Sequence, residues 1–390
     1  MLKLIYTPTL PGPPAVYGTA EDTLAVRTDA GERELQRFRK AGPEFIAPNA
    51  ELGRTIDTWL ATRTNPALPV IVMVHGYLYD PRANSPDSPF TTVYSTPGAR
   101  PFNLSWLPLV GECDINGTPQ DDNAIAFVYQ SESRLADYAA AGWNNSYQFA
   151  VFDQSPLAGR ALAAILAHLG NHAGITVRVL AHSLGTRTTS QAVGRLGPAI
   201  PANIDRMVLL DGAEFSIDAA AHFKNCTFDV FNILSRSDKV LNLGGDEMCH
   251  PFRPNNTRAA CVIGRDGLGA NTRWLDLRID DPVTRAWFAG RHAPGGATYA
   301  IDPTAEEPSH PNATLGHWAC YTNVGNRSLV RDLLFAPAMT VANFTANGVP
   351  PVTECPSNGL FNGEAIPPIP DDWATRHATL NPRGGAAEQR

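Results

Sequence analysis

Along ELGRTIDTWLATRT the apolar residues Leu52, Ile56, Trp59 and Leu60 recur at helical spacing, which predicts a helix with one buried stripe. The period then vanishes. LPVIVMV (68–74) is a continuous apolar run, too short for a buried helix and of the length expected for a strand covered on both faces. NAIAFVY (123–129) repeats the pattern, and SPLAGRALAAILAHLG (155–170) reads as a helix closing on a glycine before ITVRVLA (175–181), a third buried strand. LGTRTTSQAVGRL (184–196) follows as a helix, MVLLD (207–211) as a fourth strand and FDVFNIL (228–234) as a fifth. A further helix is expected near Arg327–Leu334. Strands alternating with helices define the α/β class, a mostly parallel central sheet with helices on both faces.

Three stretches depart from that rhythm. Residues 1–50 are expected to add edge strands and a helix. Residues 83–120, rich in Pro, Ser and Asn, and residues 241–311, carrying Trp274 and Trp287, read as insertions near the active site and as candidate lids or caps. Residues 371–390 have the composition of a loose C-terminal tail. The motif spacing favours one large domain with embellishments over two small ones.

The strongest chemical signal is Ala181-His182-Ser183-Leu184-Gly185, placed where a buried strand ends and a helix begins. A tight strand-to-helix turn projects its serine above the sheet, and small residues at 181 and 185 let neighbouring backbone approach. Ala181 stands where a glycine is more usual. The bland alternative is a serine capping an ordinary helix. A second signal, Val74-His75-Gly76-Tyr77, follows directly on the strand 68–74.

A serine hydroxyl needs a base to act as a nucleophile, and the base a partner to orient it. Asp238 lies four residues beyond the apolar run 228–234, and Asp211 at the end of MVLLD is the competitor. Among the later histidines, His317 follows a glycine in Leu315-Gly316-His317-Trp318 and precedes the helix near 327, with His310 next in order.

Taken together, VHGY, FVYQSES, LAHSLG, SRSDKVL and GHW resemble the α/β-hydrolase superfamily of serine esterases and lipases. They are most similar to bacterial hydrolases of unknown function with a VHGYN-like loop and an AHSMG-like elbow. Here Phe127-Val128-Tyr129-Gln130-Ser131 replaces an aromatic-Pro-Ser strand end, and Leu184 replaces methionine. The likeness covers about residues 66–245 and the Gly316-His317-Trp318 segment. It implies a triad of Ser183, His317 and Asp238, with the oxyanion held by the backbone N–H groups of Tyr77 and Leu184. His75, Gly76, His182 and Gly185 support the two motifs, His75 as a structural residue. Tyr77, Tyr79, Trp106, Trp143 and Trp318 are candidates for an apolar pocket wall.

The activity implied is hydrolysis of carboxylic esters through an acyl-enzyme. Thioesters, amides or phospholipids are alternatives on the same triad, and a non-catalytic binding module on the same fold is the alternative from another class. The substrate expected is a small-molecule or lipid ester, with no cofactor and no metal. No HExxH, no metal-ligand His/Cys spacing, no phosphate-binding glycine loop and no dinucleotide fingerprint stands out.

Bulk properties narrow this little further. A net charge of −7 with no basic run argues against nucleic acid as partner. No run approaches a membrane span, and MLKLIYTPTLPGPP meets prolines before any apolar stretch, which favours a cytoplasmic location. The six cysteines (113, 226, 249, 261, 320, 355) form no CxxC; Cys249 and Cys261 are the candidates for a local bridge, and Cys320 reads as a packed core thiol.

Overall fold

The computed structural model describes residues 1–8, 21–39, 45–81, 88–95, 105–132, 146–242, 262–269, 271–304 and 315–352. Its centre follows from the apolar runs. Strands β4 (Val70–Val74), β5 (Ala124–Tyr129) and β6 (Val177–His182) are buried at every position. They lie in the middle of a nine-stranded sheet flanked by β1 (Leu2–Thr7), β2 (Glu21–Thr28) and β3 (Gly31–Arg39) on one side. On the other side come β7 (Ile204–Leu210), β8 (Asp229–Leu234) and β9 (Trp274–Arg278). The order is β3-β2-β1-β5-β4-β6-β7-β8-β9. All neighbours pair in parallel except β1 with β2 and β2 with β3, so β2 alone runs against the rest of these strands. This is the mixed α/β, mostly parallel architecture that the alternating pattern predicts.

Side chains alternate between the two faces. Val72, Val74, Val179 and Ala181 join one core with α1 (Ala50–Thr62), α2 (Ser155–Gly170), α3 (Leu184–Leu196) and α4 (Ser216–Phe223). Ile71, Met73, Leu180 and Leu210 join the other with α5 (Pro282–Ala289) and α6 (Val324–Phe335). The helix starts are chemically marked. Asn49 accepts from the Leu52 N–H at 2.9 Å, Asp281 from the Thr284 N–H at 2.9 Å, and Asn323 from the Gly325 N–H at 2.8 Å.

The spans that break the sequence rhythm also contribute to the sheet and the core. Trp274–Arg278, inside the span read as an insertion, is the ninth strand, pairing in parallel with β8. Its WLDLR sequence reads as broken by Asp276, yet that carboxylate is buried and accepts from Asn232, Trp274, Leu268 and Gly269. In the span 83–120, the described residues Val93, Tyr94, Trp106, Leu107, Leu109 and Val110 belong to the second core. Residues 1–49 supply three strands and, among the described residues, no helix before Ala50. The tail 371–390, His310, Trp143, Cys249 and Cys261 lie outside the described residues. Among the described residues, no helix is long and apolar enough to cross a membrane.

Candidate active site

In a parallel sheet, ligand sites form beyond the carboxyl ends of the strands, where the chain order reverses. Here β4 is followed in sequence by its neighbour on one side, β5, and then by its neighbour on the other, β6. The loops leaving β4 and β6 therefore emerge side by side, with Val74 paired to Ala181.

Ser183 sits on the turn between β6 and α3 at φ 51°, ψ −125°, a region L side chains rarely adopt. Such strain costs about 1–3 kcal/mol and persists only where neighbours over-determine it. They do so here. The Ser183 N–H donates to Leu210 O at 2.9 Å, and its carbonyl accepts from Thr186 at 3.0 Å and Ala213 at 2.9 Å. Gly185 makes the turn possible, because a Cβ there would come within 2.3 Å of Val74 O and 2.4 Å of His75 O. Gly76 does the same from the opposite loop: a Cβ would meet the Ser183 Cβ at 2.9 Å.

The loop after β4 is held by groups the sequence places beside it. His75 is fully buried, its Nδ1–H donating to Gly76 O at 2.9 Å and its Nε2 accepting from the Tyr129 N–H at 3.1 Å. Burial lowers its pKa to about 3, so the ring is a neutral strut stacked on Tyr129 at 4.7 Å. The Ser131 hydroxyl donates to Gly76 O at 2.8 Å and accepts from the Tyr79 N–H at 3.0 Å.

Asp238 lies beyond β8, fully buried, with Oδ1 accepting from the Leu241 N–H at 3.0 Å and Oδ2 at 2.6 Å from His317 Nδ1. A carboxylate only accepts, so Nδ1 carries the proton and Nε2 is left with a lone pair. The His317 loop is pinned to the Asp238 loop by Lys239 N–H to Leu315 O at 2.8 Å. Gly316, at φ 77°, permits the approach: a Cβ there would lie 3.2 Å from Ser237 O. His317 in turn packs on the residue before Ser183. The His182 ring is 4.6 Å from the His317 ring, and its Nε2–H donates to the His317 carbonyl at 3.1 Å.

Asp211, the competing acid, faces elsewhere. It adopts φ 43° at the end of β7, with a carboxylate oxygen within 4.8 Å of ring nitrogen on His182 and of Cys320 Sγ. The structure thus brings Asp238 to His317 and leaves Asp211 against His182. Trp106 is a floor under the site, fully buried and edge-on to His182 at 6.3 Å and Tyr321 at 5.6 Å. Tyr77 packs on Tyr147 at 5.3 Å, and both lie against an apolar cluster of Phe149, Val151, Phe152, Leu184, Phe215 and Leu241.

Sequence reasoning passed over one feature. Arg187, a turn after Ser183, is buried and paired with Glu214 and, at 3.0 Å, with Asp218, while its Nε–H donates to Val151 O at 2.7 Å. Burial pushes the Glu214 pKa up against the pull of Arg187. The network ties α3 to the 211–215 turn whose Ala213 N–H holds the Ser183 carbonyl. No sequence signal separated these charges from a solvated helix face.

No family model matches this chain, and no curated protein or solved structure matches it.

Proposed function

We propose that this protein is a serine hydrolase of the α/β-hydrolase type that cleaves carboxylic esters. The observation that carries the reading is the His317–Asp238 pair, 2.6 Å apart and packed through His182 against a strained Ser183. The order of the elements supports it too: an oxyanion loop, then a nucleophile elbow, then acid, then histidine.

In this reading Ser183 Oγ attacks the ester carbonyl while His317 Nε2 accepts its proton. Asp238 fixes the ring and stabilises the imidazolium that forms. The Leu184 N–H, first in α3 and so without a helical acceptor, and the Tyr77 N–H hold the oxyanion. Charge on that oxygen is further favoured by the positive end of α3. His317 then protonates the departing alcohol, and a water, deprotonated by the same nitrogen, releases the acid. The apolar cluster around Leu184 and Tyr77 favours an apolar acyl chain.

Hydrolysis of p-nitrophenyl esters of graded chain length tests the proposal. The wild type should turn over esters, with Ser183→Ala reducing kcat by on the order of 10⁶ at unchanged fold. Equal rates in the two proteins would remove Ser183 from the chemistry. Thioesters and amides in the same panel separate the alternatives that share the triad.

A further inference from the structure

Away from that site, α1 and α2 bring together three metal-ligating side chains. His168, in the last turn of α2, places Nε2 2.6 Å from Asp57 Oδ1 on α1. His172 places its own Nε2 2.9 Å from the same oxygen and 3.3 Å from His168 Nε2. From this we infer that Asp57, His168 and His172 form a binding site for a divalent first-row transition ion, Zn²⁺ foremost.

The distances fit the chemistry. With Zn–N and Zn–O bonds of about 2.0–2.2 Å, neighbouring ligand atoms of a tetrahedral ion stand about 3.3–3.5 Å apart. The two imidazole nitrogens already lie at that separation. Asp57, with its side chain 49% exposed, needs only to withdraw by some tenths of an ångström. Proton accounting points the same way. Two ring nitrogens turned on each other and on one oxygen keep both protons in a narrow space, whereas a cation takes a lone pair from each.

The pocket for the ring is built into the helix opposite. Gly53, one turn before Asp57, would put a Cβ 2.9 Å from His168 Cε1. Glycine inside a helix is unfavourable, and here it clears the space the imidazole fills. His172 keeps helical register with His168 past the end of α2, because Asn171 remains in the αR region and the His172 N–H bonds Leu169 O at 3.2 Å. Two nitrogen donors and one carboxylate suit Zn²⁺, Cu²⁺, Ni²⁺ or Co²⁺ and disfavour Mg²⁺ and Ca²⁺. The chain runs from His172 into the start of β6, whereas Ser183 follows its end, so the ion would sit towards the opposite end of that strand. Its role is to clip α1 to α2, with solvent completing its coordination.

The test is calorimetric titration of the full chain, stripped with EDTA, with ZnCl₂, alongside His168→Ala, His172→Ala and Asp57→Asn. Circular dichroism establishes that each variant is folded, and Co²⁺ visible absorption gives a second readout. One Zn²⁺ per chain is expected, with affinity falling at least about tenfold in each histidine variant. The wild-type melting temperature should rise with Zn²⁺ and that of folded His172→Ala should not. Uptake of no ion by the wild type, or unchanged affinity in a folded His168→Ala/His172→Ala double variant, overturns the assignment. Ester turnover is independent of these variants, so the result stands apart from the hydrolase proposal.

Discussion

At the scale of single residues, strain and burial make separable predictions. Ser183 holds φ 51°, which glycine adopts without penalty. Ser183→Gly should therefore raise stability by about 1 kcal/mol while abolishing ester turnover. Denaturant midpoints and activity on one preparation check both halves. Asp238→Asn keeps the shape of the acid but lets the amide dictate the wrong His317 tautomer, and kcat should fall by about 10⁴. Rates with p-nitrophenyl esters measure that loss. His75 gives a pH signature. Its folded pKa is lowered to about 3 by burial, against 6.5 when unfolded, so the unfolded state binds its proton first. The stability it lends is complete above 6.5 and is lost as pH falls from there towards 3, at a limiting slope of about 1.4 kcal/mol per unit. Urea unfolding across that window should show a shallower acid loss for His75→Gln than for the wild type.

At the scale of elements, the glycines decide how closely loops meet. Gly76→Ala puts a methyl 2.9 Å from the Ser183 Cβ, 3.2 Å from His182 Nδ1 and 3.3 Å from the His182 carbonyl, so the loop or the pinned Ser183 turn must shift. Activity should drop by about 10²-fold, as a displacement near 1 Å does, with a lowered melting temperature but a folded protein. Gly185→Ala would strike the Val74 and His75 carbonyls instead, so loss of soluble protein is expected there. Arg187→Ala strips a cation from two buried carboxylates and should cost about 3–5 kcal/mol by urea denaturation. Such elements differ in how far the sequence reveals them. Helix 155–170 shows in its apolar residues and closing glycine, because most of its positions are buried. Helix 184–196 shows through its place after the Ser183 turn, its buried face being largely polar. Strand β9 does not, because Asp276 interrupts its apolar run and is satisfied only by donors that the fold delivers.

At the scale of the whole molecule, strand order makes the site. Neighbouring β4 and β6 set the Tyr77 loop beside Ser183, and β8 carries Asp238 to the same edge. The Ser183 turn is legible locally, since strand, small residues and helix are contiguous. The partnership of Asp238 with His317 spans 79 residues, and only their order along the chain hinted at it. The sequence already favours Asp238 over Asp211, and the fold places the Asp211 carboxylate near His182 and Cys320. The cluster on α1 and α2 lay deeper still. His168 and His172 stand four apart, a spacing passed over for want of Asp57, which lies 111 residues from His168. The central claim is that Ser183 is an activated nucleophile. Reaction with a fluorophosphonate, followed by peptide mapping of the modified residue, tests it most directly. The account predicts a single phosphonylated site at Ser183, absent in Ser183→Ala and strongly slowed in Asp238→Asn; an unlabelled wild type, or label carried on another residue, would contradict it.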